Sequence, residues 1–221
     1  MINKKRIKFW KDKKVLITGH TGFKGAWLAF VLKLFGAKVY GYSLKPDNKF
    51  NLYNLLDLKK ILNGSYINNI LDYKKLNKIL QKIKPDIVFH LAAQSLVGKS
   101  YKHPIETYKT NIIGSLNVMN ACRNITTVKS IMMITTDKVY KNSENIKKHK
   151  EEDKLGGDDP YSGSKSAAEM VIESFKKSFF NQNNRPKIGV LRAGNVIGGG
   201  DWNEDRIIPD IIKSIKNNKK L

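Results

Sequence analysis

Two short segments of the chain carry residue types suited to chemistry on an alcohol. The first is Thr135-Thr136-Asp137-Lys138-Val139-Tyr140, closing an apolar run, and the second is Tyr161-Ser162-Gly163-Ser164-Lys165. Residues four apart on a helix lie on one face, about one turn from each other, so Tyr161 and Lys165 share a face. An ammonium held near a phenol favours the phenolate and lowers the tyrosine's pKa, giving a base for an alcohol proton near neutral pH. Thr136, Asp137 and Lys138 add a hydroxyl, an acid and an amine. If the two segments meet over a bound nicotinamide, they form an alcohol-oxidising site that also has acid–base groups. Tyr-x-x-x-Lys alone occurs on many exposed helices. Its position after Pro160, one strand and loop beyond Thr136, is what favours chemistry.

The elements that must position these groups alternate along the chain. Val15–Thr18, Lys38–Tyr42, Tyr66–Ile67, Asp86–Leu91, Ser130–Thr135 and Lys187–Leu191 read as strands from their short apolar or β-branched runs. Gly22–Phe35, Leu52–Leu62, Tyr73–Ile83, Pro104–Arg123, Pro160–Phe180 and Ile207–Asn217 read as helices, with Ala92–Tyr101 a loop and Lys141–Asp159 a charged, exposed one. Such alternation predicts an α/β fold with a Rossmann-type, doubly wound parallel sheet. No repeat, low-complexity tract or linker interrupts it.

After the first strand comes Gly19-His20-Thr21-Gly22-Phe23-Lys24-Gly25, a G-x-x-G-x-x-G turn opening a helix. The first glycine makes the tight turn, the second lets the backbone approach a pyrophosphate, and the third packs helix against strand. The helix N-terminus then faces the anion. The end of the second strand, Tyr42-Ser43-Leu44-Lys45, lacks the acid that grips the ribose hydroxyls of NAD. Asp47 or Ser43 is the candidate substitute, while Lys45 would suit the 2′-phosphate of NADP.

The 221 residues suffice for one good-sized domain, or one domain and the start of another. Cys122 stands alone and the four histidines are scattered, so neither internal disulfides nor a metal site is expected. No apolar run is long enough to span a bilayer and the N-terminus lacks a signal-peptide core, so the expectation is a cytoplasmic protein without a membrane partner. The net charge of +22 is nearly all lysine, with arginine only at Arg6, Arg123, Arg185, Arg192 and Arg206. Arginine is the residue that suits bidentate base readout, and the charge is spread along the chain. It reads as a solvated surface with no specific nucleic-acid partner. Gly198-Gly199-Gly200 lacks the Lys-Ser/Thr pair of a P-loop and reads as a flexible loop carrying Asp201 and Trp202 toward a sugar. His20, Phe23, His90 and Cys122 read as turn and packing residues.

With these motifs in order, the chain resembles an extended short-chain dehydrogenase/reductase. Within that superfamily it is similar to the nucleotide-sugar 4,6-dehydratases of the CDP-glucose branch. That likeness rests on Phe9-Trp10, the glycine turn, Leu91-Ala92-Ala93-Gln94-Ser95-Leu96-Val97, the stretch Arg192 to Trp202, and Asp205-Arg206-Ile207-Ile208-Pro209-Asp210. The dTDP-glucose branch has glutamate where this chain has Lys138. The resemblance implies NAD as a recycled cofactor. Tyr161, supported by Lys165 and Thr136, would deprotonate the sugar 4-hydroxyl; Asp137 would protonate the departing 6-hydroxyl, and Lys138 would take the C5 proton or position the group that does. Burial or neighbouring positive charge would be needed to free Lys138 of its own proton.

The resemblance also implies that Asn69, Ile70, Leu91, Ala92, Ala93 and Thr110 line the dinucleotide pocket with Gly19, Thr21, Gly22, Phe23, Lys24 and Gly25. Gln94, Asn195 and Arg206 would contact the nucleotide-sugar. Residues 1–192 would form the NAD-binding domain, and 193–221 would begin a substrate-binding region that family members continue further. Helices 104–123 and 160–180 would pair into a homodimer. The product would feed surface polysaccharide, such as lipopolysaccharide O-antigen. Three readings therefore stand at this stage. They are a dehydratase, with a separate chain able to supply a C-terminal half; an inactive NAD-binding fragment; and a cationic surface protein that binds RNA or DNA. Within the enzyme class another nucleotide-sugar dehydratase or a UDP-sugar epimerase is the runner-up.

Overall fold

The computed structural model describes residues 4–46, 49–141, 148–182, 185–203 and 205–218. Asp47, one candidate for the cofactor ribose, lies outside the described residues. Six strands, β1 (Lys14–Thr18), β2 (Lys38–Ser43), β3 (Gly64–Ile67), β4 (Ile87–His90), β5 (Ser130–Thr136) and β6 (Lys187–Ala193), form one sheet in the order β3-β2-β1-β4-β5-β6. Every pairing is parallel. The chain leaves β1 toward β2 and β3, then returns to β1's other side for β4, β5 and β6. The carboxyl ends of β1 and β4 therefore flank the switch point, where open parallel sheets bind ligands.

Both faces of the sheet are covered, as a parallel sheet requires. Val15 and Ile17 point to one face, where Val39 and Ile87 join Ala26, Ala29 and Leu32 of α2 (Phe23–Leu34). Two short helices, α3 (Leu52–Leu55) and α4 (Leu58–Ile61), complete that layer with Leu52, Tyr53 and Leu58. Leu16 points to the opposite face, where it joins Val88, Ile131 and Met133. This second core takes Leu76, Leu80 and Ile83 from α5 (Tyr73–Ile83) and Val118, Met119 and Cys122 from α8 (Gly114–Cys122). Ile172 of α9 (Pro160–Phe179) closes it.

The structure refines the sequence reading at several elements. Lys4–Trp10 is a helix, α1, that no sequence signal had marked. The helix expected over Leu52–Leu62 breaks into α3 and α4 because Asp57 adopts φ 46°, a left-handed conformation. The expected loop after β4 holds a short helix, α6 (Val97–Lys102). The long helix from Pro104 exists but is not uniform. It runs as α7 (Pro104–Tyr108), a π-helical turn over Lys109–Ile113, and α8. The final helix, α10 (Ile207–Lys216), lies past β6. Among the described residues no helix is long and apolar enough to cross a membrane.

Candidate active site

The glycine turn is built so tightly that side chains are excluded from it. Gly19 sits at φ 79°, and a Cβ there would lie 2.7 Å from the Ala92 backbone nitrogen. At Gly25 a Cβ would come within 2.1 Å of the Gly19 carbonyl oxygen. Gly22 differs: a Cβ there meets protein only at 3.4 Å, so the space above it is open to a ligand. Gly22 also caps α2 with no side-chain hydrogen bond, leaving that helix N-terminus uncapped as an anion site requires. These are the features of a dinucleotide cradle, and the residues fit one.

Buried polar groups hold the cradle in place. Ser115 donates to the Asn111 carbonyl at 2.7 Å and so accepts from His90 Nε2 at 3.1 Å; Nδ1 of the same ring then accepts from Thr18 at 2.7 Å. Thr18 in turn accepts from the Ala92 N–H at 3.2 Å. Burial pushes His90 down to about 3, so the ring stays neutral. His20 is likewise buried and lowered to about 4, packed over Gly41 with Nε2 2.7 Å from Ser65 Oγ. Both histidines are packing residues, as the sequence suggested.

Across the cleft, α9 brings Tyr161 and Lys165 to the end of β5. Asp159 caps the helix, its Oδ1 accepting from the Tyr161 and Ser162 N–H groups at 2.9 and 3.0 Å, and Pro160 occupies its first turn. Beyond β5 the chain enters a 3₁₀ turn, Asp137–Val139. The Thr136 hydroxyl hydrogen-bonds the Tyr161 phenol and also lies 3.1 Å from Asp137 Oδ1. It has one proton to give to either.

Two electrostatic expectations are corrected. Burial raises the Tyr161 phenol above its usual value, while the Thr136 hydrogen bond and Arg206 act to lower it. Lys165 does not set it, because its amine donates to the Ile134 carbonyl at 3.1 Å. Burial and Lys24 bring Lys165 itself down to about 8, with Glu169 opposing the shift. Lys138 is not buried: its side chain is 43% exposed and pairs with Asp137 at 3.7 Å. The burial that a basic Lys138 requires is not provided by the described residues.

The remaining expected residues divide. Lys24 feels the charge of Asp137 and Arg206 acts on Tyr161, while burial and Arg206 lower the Lys24 amine. Arg206 Nε is buried with no hydrogen-bond partner among the described residues, a donor suited to an anion. Asn195 is exposed, close after Gly194, where a Cβ would lie 3.5 Å from Asp137 Oδ2. Leu91, Ala92, Ala93 and Thr110 are half-buried around the cleft.

Other candidates are already engaged by the chain itself, Gln94 and Ile70 buried and Asn69 exposed. The Gln94 amide is committed to Leu96 and Thr107 at 2.8 to 3.0 Å and is buried. Ile70 lies in the core against Gly114, and Asn69 accepts from the Leu71 N–H and, through its carbonyl, from Tyr42. Trp202 lines a cavity with Thr21, Gly22 and Lys45, beside the glycine turn.

Sequence reasoning missed two residues. Asn111, in the π turn, donates to the Gln94 carbonyl and to Ser164 Oγ on α9, tying the cleft loop to the tyrosine's helix. Glu169 accepts from Thr135 at 2.5 Å and pairs with Arg192 at 2.6 Å. Its signal was present, since Tyr161, Lys165 and Glu169 recur every four residues along one helix face.

A phosphate-cradling turn at the switch point, facing a tyrosine–lysine helix and a Thr-Asp-Lys strand end, defines a Rossmann-type dinucleotide-binding fold. The sequence matches the GDP-mannose 4,6 dehydratase family over residues 16–184, and the chain belongs to that family. It is 45% identical over 217 residues to the CDP-glucose 4,6-dehydratase of Salmonella typhimurium, covering 96% of this chain and 60% of that one. It is 36% identical to the dTDP-D-glucose 4,6-dehydratase of Dictyostelium discoideum, covering 94% of this chain and 49% of that one. Among solved structures, a UDP-glucose 4-epimerase with UDP-glucose from Thermotoga maritima superposes with a TM-score of 0.81 at 27% identity, over 94% of this chain and 64% of that one. The chain thus spans about half to two thirds of the length of the relatives it matches.

Proposed function

We propose that the chain carries the cofactor site and reacting groups of an NAD-dependent nucleotide-sugar 4,6-dehydratase, converting CDP-glucose to CDP-4-keto-6-deoxyglucose. The observation that carries this reading is the convergence of Thr136, Asp137 and Tyr161 at the end of β5, opposite the glycine cradle. Two features favour the CDP-sugar branch: the 45% identity to a CDP-glucose 4,6-dehydratase and the lysine at position 138. A UDP-glucuronic acid 4-epimerase from Bacillus cereus, in complex with NAD and 27% identical, supports NAD as the cofactor.

Bound in the cradle, NAD would supply a hydride acceptor at the sugar C4 and a donor at C6. Tyr161 takes the 4-hydroxyl proton, helped by the Thr136 hydroxyl and by the positive field of Arg206, both of which favour the phenolate. The C4 ketone acidifies the C5 proton, which passes to a base that Lys138 positions, so water leaves across C5 and C6. Asp137, beside the reacting tyrosine, delivers the proton to the departing 6-hydroxyl. Half-exposed and paired with Asp137, Lys138 fits the positioning role better than that of C5 base. The unpartnered Arg206 Nε and the exposed Asn195 would meet the substrate diphosphate. The region from residue 193 begins the sugar side.

The exposed apolar residues Ile105, Tyr108 and Ile113 on one helical segment and Met170 on α9 support pairing of two copies through these helices. A cytoplasmic role in surface-polysaccharide precursor synthesis accords with this chemistry.

A second reading is that these residues, which span 60% of the Salmonella relative, bind NAD but do not turn over the sugar. Incubating the chain with CDP-glucose and NAD decides between them. The expected result is a 4-keto-6-deoxy sugar product, reduced at least about a hundredfold in Tyr161→Phe, the lower bound for losing a general base. Cofactor binding without product, even with the C-terminal part of the Salmonella relative added, would favour the fragment.

A further inference from the structure

Among the described residues the end of β2 has no acid to hold the cofactor ribose, and hydroxyl groups stand there instead. Thr21 Oγ1 lies 2.8 Å from Ser43 Oγ and 2.9 Å from the Leu44 carbonyl oxygen. A threonine hydroxyl has one proton, and a carbonyl only accepts. Both contacts form together only when Thr21 donates to Leu44 and Ser43 donates to Thr21. Ser43 has then spent its proton, and its half-buried oxygen offers lone pairs alone. An open cavity lined by Thr21, Gly22, Lys45 and Trp202 lies beside it, between the glycine turn and the residues that follow β2.

We propose that this relay from Ser43 through Thr21 to the Leu44 carbonyl makes the site select a dinucleotide with a free ribose 2′-hydroxyl over one carrying a 2′-phosphate. The inference rests on the dinucleotide reading of the glycine turn. A 2′-hydroxyl brings the proton that Ser43 lacks. A 2′-phosphate brings acceptors, so two acceptors face each other and a hydrogen bond is lost, an effect of about tenfold in affinity.

Lys45 acts in the opposite sense, since its exposed ammonium attracts a phosphate. A solvated pair of that kind is worth only about a fewfold, so the hydroxyl relay decides. The relay adds no negative charge against the phosphate. The preference is accordingly about tenfold, not thousandfold.

Fluorescence titration with NADH and with NADPH reads this directly and needs no turnover. The chain should bind NADH about tenfold more tightly than NADPH. Thr21→Val frees the Ser43 proton to donate, so NADPH should gain affinity and the ratio should collapse. Ser43→Ala should weaken NADH severalfold and leave NADPH unchanged, which keeps the test open if the buried Thr21 variant does not fold. Lys45→Ala should weaken NADPH alone and widen the ratio. Equal affinities in the parent chain, or an unchanged ratio in Ser43→Ala, overturn the inference. Binding of neither dinucleotide would instead overturn the cofactor reading on which it rests.

Discussion

The two sides of the sheet's carboxyl edge are finished to different degrees. On the cofactor side, β1 is buried along nearly its whole length and the glycine turn meets β4's end at backbone contact. Polar groups beneath it form one continuous chain, from the Ala92 N–H through Thr18, His90 and Ser115 to the Asn111 carbonyl. On the sugar side, β6 is an edge strand with no fully buried residue, and Ile197, Ile207 and Ile215 are each about 70% exposed. The difference teaches that the cradle is shaped by the chain's own packing, while the sugar-side surface leaves its apolar residues to solvent. Thr136 and Tyr161, at the end of β5 and the start of α9, sit between the two.

Acid tests that difference with the largest expected effect. His90 is held near 3 and His20 near 4, below the ordinary value of 6.5. The unfolded chain therefore binds more protons between those values, so stability present above pH 6.5 is lost as pH falls toward 3. His90 alone would account for up to about 5 kcal/mol of that loss. Urea unfolding across this range should show the slope, and His90→Gln should flatten it. A stability independent of pH in that window would remove the claim that the cofactor side rests on buried neutral histidines.

Next in size is the link between the sides. Glu169 joins Thr135 on β5 to Arg192 on β6, and Arg192 continues to Tyr140 and the Glu151 carbonyl. Glu169→Ala leaves the arginine without its carboxylate and should cost about 3 kcal/mol in urea unfolding. Arg192→Leu added to it should recover part of that loss. A double variant as unstable as the sum of the singles would show that the pair is not a unit.

Smallest is a glycine contrast. Gly25→Ala drives a Cβ into the Gly19 carbonyl and should destabilise by about 2 kcal/mol and abolish NADH binding. Gly199→Ala meets nothing within 4 Å and should stay within about 1 kcal/mol of the parent. Equal effects would erase the distinction between the sides.

The sequence made the strands, the cradle and the tyrosine helix legible because each has a local signal: an apolar run, a glycine spacing, a proline after an acidic cap. It did not reveal that Asp57 would turn left-handed and split a helix, or that a π turn would place Asn111 between Gln94 and Ser164. Those depend on contacts between distant segments. The same limit explains the electrostatic corrections. Spacing put Lys165 one turn from Tyr161, but the Ile134 carbonyl captures its amine, and burial outweighs the groups that lower the phenol. Gln94 could be placed at the cleft from its motif, yet its commitment to Leu96 and Thr107 is visible only in three dimensions.

The central claim is that oxidation at C4 and reduction at C6 occur in one site around the Thr136–Asp137–Tyr161 cluster. CDP-glucose carrying deuterium at C4, turned over with unlabelled NAD in ordinary water, tests it most directly. The account predicts a 4-keto-6-deoxy product whose deuterium has moved from C4 to C6, with a solvent-derived proton at C5. Deuterium kept at C4 in an epimerised or unchanged sugar, or a keto product without label at C6, would contradict it.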